Sequence, residues 1–229
     1  MNNDICLVVL TNGRKDLISQ TVPAWMDKYN DVFNNKFIID DSGDKDYREW
    51  LKQYSNKYNF KIINVGDENL GYAEAMQKVL DTFRSLGNKY MFFLEEDFLP
   101  KVNIDFNKMR YLLENNKEVI QISLMRQPWY KEEIDAGGVV QTKKQNFENI
   151  TEKNDIKWVK HREYFTGNPS LISDKVLKYS WPKVRWSEYF FGKKLLEEGF
   201  YFGILGSIDS DDWIAVEHIG HYQKGVGNY

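Results

Sequence analysis

The chain is poor in cysteine, proline and long apolar runs. Cys6 is the only cysteine, so no disulfide can form within the chain. Lying in an apolar run, it suits the role of a small buried hydrophobe. No apolar run approaches the roughly 18 residues that a membrane helix needs. The first residues, Met1 to Asp4, hold no basic region leading into an apolar core, so no signal peptide is expected. Together these absences lead us to expect a cytoplasmic protein with no transmembrane segment. A large excess of either charge is lacking too: 31 Lys and Arg face 34 acids, for a net charge of −3. That argues against the basic patch of a nucleic-acid binder and the polybasic stretch of a membrane-surface protein. No G-x-G-x-x-G follows the first apolar run, which speaks against a conventional dinucleotide site. Internal repeats and linkers are absent as well, and 229 residues are expected to form a single domain over 1–229.

Apolar side chains are abundant. They make up 42% of the chain, enough for a packed core, and aromatics alone make up 15%. Ile5 to Leu10, Phe37 to Ile39, Phe60 to Asn64 and Tyr90 to Leu94 are apolar runs of strand length. Each of the first three leads through a polar turn into a segment of helical spacing. The segments are Arg14 to Met26, Tyr47 to Tyr54, and Tyr72 to Leu86, the last closed by Gly87. Repeated strand–helix units predict an α/β fold with a mostly parallel central sheet. Beyond Pro100, which stops the fourth strand, come a helix at Phe106 to Leu113 and a strand at Val119 to Leu124. Arg126 to Lys160 is irregular, with a hairpin expected around Gly137 to Gln141. A short helix is expected at Ser173 to Tyr179. A stronger one runs from Trp186 to Glu198, with Ser187 as N-cap, and a strand follows at Phe200 to Ile204.

The acids fall at informative places. Tyr90 to Leu94 runs straight into Glu95, Glu96 and Asp97. Crowded carboxylates at the end of a buried strand raise each other's pKa, and a hard divalent cation removes that cost. Asp40 and Asp41 end the second strand. In an open α/β sheet the carboxyl ends of strands are where ligands bind. An acidic turn on a solvated edge, or simple helix capping by Ser42 and Asp44, accounts for the same residues without a ligand.

Read together, these stretches resemble a glycosyltransferase of the GT-A fold, nearest to the large family-2-like group. LVVLTNGR resembles its first strand and nucleotide loop, and IIDDSGD its Asp-Asp-Gly-Ser type motif. ENLGYAEAMQKVL resembles the helix after the third strand, and FFLEEDFLP the Asp-x-Asp metal motif. WSEYFFGKKLLEEGF resembles the helix whose first turn holds the catalytic base, and VEHIGH the segment that returns a histidine to the metal. Two departures stand out. Glu188 is followed by Tyr189 where many relatives have Glu-Asp, and the metal motif opens with Glu95 rather than Asp.

The resemblance implies a metal-dependent transfer of a hexosyl group from a nucleotide-diphosphate sugar to an unidentified acceptor hydroxyl, with inversion. Residues 1–100 would form the nucleotide-sugar half and 101–229 the acceptor side and tail. Mn2+ or Mg2+ would be held by Asp97, Glu95 and His218, with His221 able to exchange roles with His218. Thr11, Asn12, Arg14, Asp40, Asp41, Gly71, Glu95 and Glu96 would serve the donor. Gly167, Asn168 and Trp186 would line the acceptor side, and Glu188 would be the base. Trp129, Trp158, Trp181 and Trp186 are candidates for stacking on sugars, while His161 has no assigned role. A sugar nucleotidyltransferase and a non-catalytic binding domain on the same fold are the alternatives.

Overall fold

The first strand shows how this sequence sorts itself. Strand β1 (Ile5–Thr11) is buried at all seven positions. Alternate side chains leave a strand on opposite faces: Ile5, Leu7 and Val9 join one hydrophobic layer, Cys6, Val8 and Leu10 the other. Such a strand needs cover on both sides, which amphipathic helices supply. Helix α1 (Lys15–Tyr29) places Ile18, Val22, Trp25 and Met26 in the first layer. Further along the chain come β2 (Asn35–Asp40), α2 (Lys45–Asn56) and β3 (Lys61–Asn64). Helix α3 (Tyr72–Leu86) then places Ala75, Met76, Val79, Leu80 and Phe83 in the second layer. The structure is a computed structural model and describes residues 4–210 and 213–220.

The remaining elements are β4 (Tyr90–Glu95), β5 (Phe98–Pro100), α4 (Phe106–Asn115), β6 (Val119–Ser123), α5 (Lys131–Ala136), β7 (Phe147–Glu152), β8 (Ile156–His161), β9 (Ser170–Ser173), α6 (Ser187–Glu197), β10 (Tyr201–Leu205) and β11 (Val216–His218). Among the described residues, nine strands form one sheet in the order β3-β2-β1-β4-β9-β6-β10-β8-β7. Strands β3, β2, β1 and β4 are mutually parallel, and β10 runs parallel to β6. Strand β9 lies antiparallel between β4 and β6, and β8 is antiparallel to both β10 and β7. In this register Thr11 is opposite Asp40 and Leu10 is opposite Glu95. Three strand ends, and their acids, therefore converge at one edge of the sheet.

After Glu95 the chain leaves the main sheet. Strand β5 pairs antiparallel with β11 as a separate ribbon. Pro100 ends that short strand, a position where its missing N–H costs little.

Two local expectations are corrected. The hairpin is not at Gly137 to Gln141. Helix α5 ends there, with Gly137 as its left-handed C-cap at φ 85°, and a 3-10 helix spans Gln141–Asn146. Glu133 anchors this segment by accepting from Arg126 and from the backbone of Trp129. The hairpin is formed by β7 and β8, which turn at Asn154 and Asp155, both at positive φ. Asn and Asp tolerate that conformation better than most residues. At α6 the N-cap is Trp186, not Ser187, which is buried in the first helical turn. His161, flanked in sequence by charged residues, is buried in space among Phe147, Tyr164 and Phe202. Burial pushes its pKa down to about 3, so it packs as a neutral ring.

Candidate active site

The three adjacent acids after β4 fan out in three directions. Glu96 folds back under the end of β1. Its carboxylate accepts from the Thr11 hydroxyl, from the Asn12 N–H at 2.9 Å and from Arg14 Nε at 2.7 Å. Burial raises its pKa, and the Arg14 charge works against that rise. Asp97 turns toward Arg14, 2.8 Å from a guanidinium nitrogen, and toward His218 Nε2 at 3.2 Å. Burial opposes its ionisation, but the hydrogen bond from His218 and the Arg14 charge prevail and hold it below the usual carboxylate range. Helix α1 fixes the turn itself: Thr21 donates to the Glu96 carbonyl and Trp25 Nε1 to the Phe98 carbonyl. Gly220 closes the far side, where a Cβ would overlap the Asp97 carboxylate.

Glu95 takes the third direction. A Cβ on Gly167 would lie 2.8 Å from Glu95 Oε1, 2.7 Å from the Tyr72 hydroxyl and 3.1 Å from Glu188 Oε2. The lack of a side chain at Gly167 is what lets these three groups converge. Glu188 Oε2 accepts from Tyr72 at 3.0 Å and from the Gly167 N–H at 3.1 Å. Both bonds fall on one oxygen. Burial lifts the Glu188 pKa from the usual 4.5 to about 7, against the pull of those two donors. Glu95 is raised well above its ordinary value, by burial first and then by the charges of Asp97 and Glu188.

At the end of β2 the two aspartates separate. Asp40 is fully buried, with Oδ2 accepting from Arg48 Nε at 2.8 Å and Oδ1 from the Ser42 N–H at 2.9 Å. Arg48 continues to the Gly66 carbonyl. Asp40 thus braces the loop, while Asp41 meets the next one: its Oδ1 accepts from the Leu70 N–H at 3.1 Å, just before Gly71 and α3. Burial raises the Asp41 pKa despite that donor. Asn12 Oδ1 accepts from Asn69 at 2.6 Å, tying the β1 loop to the same turn. Removing the Arg48 side chain strands a buried carboxylate, and loss of one member of such a pair costs about 3 kcal/mol. We expect Arg48→Ala to lower Tm by roughly 6–12 °C in a chain of this size, as thermal unfolding followed by circular dichroism would show.

Among the described residues, no three His, Cys, Asp or Glu side chains form a ready metal cluster. Glu95, expected as a ligand, does not complete one with Asp97 and His218. Those two nevertheless suit a hard cation. Asp97 Oδ1 is buried with no hydrogen-bond partner, and Oδ2 lies beside the imidazole. A Mg2+-like ion takes one or two protein ligands and fills its shell with phosphate oxygens and water. The imidazole is held in place, stacked on Phe98 and packed against Trp129. The Gln127 side chain clamps the His218 backbone by donating to its carbonyl and accepting from its N–H. His221 lies outside the described residues.

Of the four tryptophans considered for stacking, Trp158 and Trp181 are core. Trp129 contacts His218 and Trp186 is exposed. Asn168 donates its N–H to Thr166 in the loop before β9. Tyr72, Arg48, Gln127 and Gly220 are site residues that sequence reasoning missed. Tyr72 directly follows the Asn-Leu-Gly turn, but its partner lies 116 residues away, and no local pattern reports such a distance.

No protein-family model matches this sequence, and no curated protein does either. Solved structures do match its fold. A mannosyltransferase from Pyrobaculum calidifontis, determined with GDP-Man and Mn2+, superposes with a TM-score of 0.64 at 12% identity, over 94% of this chain and 56% of that one. GalNAc-T7 with UDP, GalNAc and Mn2+ gives 0.65 at 12% identity, over 94% and 44%. TarS from S. aureus with UDP-GlcNAc gives 0.64 at 14% identity, over 96% and 59%. The chain spans about half the length of these proteins. It has the GT-A fold that they share.

Proposed function

We propose that this chain transfers a hexosyl group from a nucleotide-diphosphate sugar to an acceptor hydroxyl, with inversion and with Glu188 as the base. The observation that carries the proposal is the Glu188 carboxylate. It is half-buried, has a pKa near 7, is held through one oxygen by Tyr72 and Gly167, and shares the Gly167 gap with Glu95. A base titrating near the working pH is suited to proton abstraction. The acceptor oxygen forms its bond to the anomeric carbon as the bond from that carbon to the diphosphate breaks. The proton passes to Glu188, and the bonding pair leaves with the nucleoside diphosphate.

On the donor side, Thr11, Asn12, Asp41 and Gly71 line the convergent strand ends. Asp41 is the carboxylate for the base or ribose. Asp40 and Glu96 act one layer behind, as braces for the loops that do the binding. Arg14 keeps Asp97 ionised and oriented. Asp97 and His218 would hold Mn2+ or Mg2+, which when bound supplies positive charge to the diphosphate leaving group. Glu95 stands between that pair and Glu188, where the donor sugar must lie. Gly167 and Asn168 line the acceptor side. Three solved structures of this fold carry sugar nucleotides or their parts, two of them with Mn2+, which supports the donor class and the cation. Among the described residues no helix is long and apolar enough to cross a membrane.

The test is nucleoside diphosphate release from a panel of UDP- and GDP-sugars with Mn2+ or Mg2+, alongside thermal unfolding with each nucleotide. Ligands that bind only the native state raise Tm by mass action. A metal-dependent shift and metal-dependent release with the same nucleotide would support the reading. Absence of any shift across the panel would refute it.

Tyr72→Phe offers a sharper test of the base. Its ring still packs edge-on against Trp181, but the hydroxyl that favours ionised Glu188 is gone. The Glu188 pKa then rises further, and the acid limb of kcat/KM should move up by about one pH unit. An unmoved limb would exclude Tyr72 as a positioning residue for Glu188.

A further inference from the structure

The central sheet ends differently on its two sides. At one end the turn at 207–210 is tied to β7: Asn149 donates to the Asp209 carboxylate at 3.3 Å and accepts from the Ile208 N–H at 3.3 Å. At the other end β3 pairs with β2 on one side and, among the described residues, with no strand on the other. An outermost strand presents a row of backbone N–H and C=O groups that another strand can meet. A cleft of about 320 Å³ separates this strand from α2. Its walls are Arg48, Lys52, Ser55 and Asn56 on the helix, and Phe60, Ile62 and Asn64 on the strand side. Ile62 and Ile63, one on each face of the sheet, are only half-buried.

The charges around β3 add a second, independent observation, because they are sorted by sign along the chain. Lys57 precedes the strand and Lys61 opens it, while Asp67 and Glu68 follow its end. All four are exposed, and among the described residues none belongs to an ion pair. The two lysines rest over the Tyr58 and Phe37 rings, at 4.9 and 5.7 Å from the ring centres. A short strand carrying Lys is a common device against indiscriminate pairing of sheet edges. Here it selects rather than forbids. A parallel copy would set Lys beside Lys and acid beside acid, whereas an antiparallel copy brings the basic end of each strand to the acidic end of the other.

We infer that the β3 edge is a self-association surface, at which two copies of this chain pair antiparallel about a two-fold axis. The two sheets then continue into one another, with the β3 strands at the centre. A two-fold axis through the sheet keeps each face on its own side, so residues pair with others of the same face. Ile62 therefore meets its own counterpart near the axis. On either side of it, Lys57 and Lys61 of one copy approach Asp67 and Glu68 of the other. The same patch is used twice, so association closes at two copies. A second copy fits this edge better than an acidic peptide does, because a strand of acids would satisfy the lysines only by meeting Asp67 and Glu68 with like charge. So short a strand makes a small interface, which points to micromolar association. The inference is independent of the transferase reading.

Sedimentation velocity on the full chain over about 1–200 µM tests this, since association is set by mass action. We expect a monomer–dimer equilibrium that weakens at high salt, because exposed ion pairs are screened. Two double variants reverse the charges: Asp67→Lys with Glu68→Lys, and Lys57→Glu with Lys61→Glu. Each alone should dimerise about a hundredfold less well or worse, as like charges then face each other. Mixed in equal amounts, the two should form a heterodimer, because every reversed end now meets the opposite sign. A wild type that stays monomeric would overturn the inference, whether or not it binds an oligoglutamate peptide instead. So would reversed variants that dimerise like the wild type, a mixture that does not associate, or association that runs on past the dimer. Dimerisation that strengthens with salt would overturn it without recourse to any variant.

Discussion

Glu188→Gln should reduce transfer by about 10²- to 10⁴-fold, the usual contribution of a positioned base, while nucleotide- and metal-dependent stabilisation survives. Glutamine keeps an oxygen for the Tyr72 and Gly167 donors, so geometry is preserved and only proton acceptance is lost. In the wild type, kcat/KM should rise with pH through about 7, where Glu188 ionises. Stability should move in the opposite sense. The folded-state pKa is above the usual 4.5, so between about 4.5 and 7 the folded protein binds more protons than the unfolded chain. Stability therefore falls as pH rises across that window, and the penalty is complete above it. Glu188→Gln removes the penalty. It should raise stability by about 3 kcal/mol at pH 8, roughly 6–12 °C in Tm, and change little at pH 4. A variant that keeps wild-type transfer, or one destabilised at pH 8, would contradict the role given to this carboxylate.

Substitution of Asp97 should have the second large effect. In Asp97→Asn the metal-dependent part of the nucleotide Tm shift should vanish, because the amide is a far weaker ligand for a hard cation than a carboxylate. Asp97→Ala should lose the same shift and also unfold more readily without ligand. Arg14 is largely buried and splits its charge between Asp97 and Glu96. Removing one carboxylate leaves it half compensated and costs about 3 kcal/mol, or roughly 6–12 °C in Tm. The asparagine variant, which still offers an oxygen to Arg14, should lose less. Titration calorimetry with Mn2+ and the nucleoside diphosphate separates the two effects. Metal-dependent binding that persists in both variants would remove Asp97 from the cation site.

Much of the scaffold was legible in the sequence because its signals are local. Ile5 to Leu10 and Tyr90 to Leu94 are apolar at every position, which happens when both faces are covered. The α3 segment announced itself by three-to-four spacing and a closing glycine, and Gly87 is indeed left-handed at φ 66°. Asp44 caps α2 as its position suggested. The part that escaped depends on distant partners. Glu95, Glu96 and Asp97 look equivalent in sequence. Yet Glu96 is committed to a residue 82 positions earlier and Asp97 to one 121 positions later. Which acid is a brace and which is free to act is decided by those contacts. A glycine such as Gly137 suits a hairpin turn and a helix C-cap equally, and here it caps α5, whereas the turn is made by Asn154 and Asp155. Trp186 at a left-handed cap ran against residue preference altogether.

Strand β9 has a consequence for how this protein is made. It comes from residues 170–173, yet among the described residues it is the only hydrogen-bonded link between β4, at 90–95, and β6, at 119–123. Until some 50 residues beyond β6 have left the ribosome, the nascent chain holds two unfilled strand edges facing one missing neighbour. Unpaired edges invite association with other chains. The same long-range closure slows folding, since the loop must close before the contacts reward it. Chains halted before residue 170 should therefore be recovered as aggregates or in chaperone-bound form, and native structure should be acquired late and in one step.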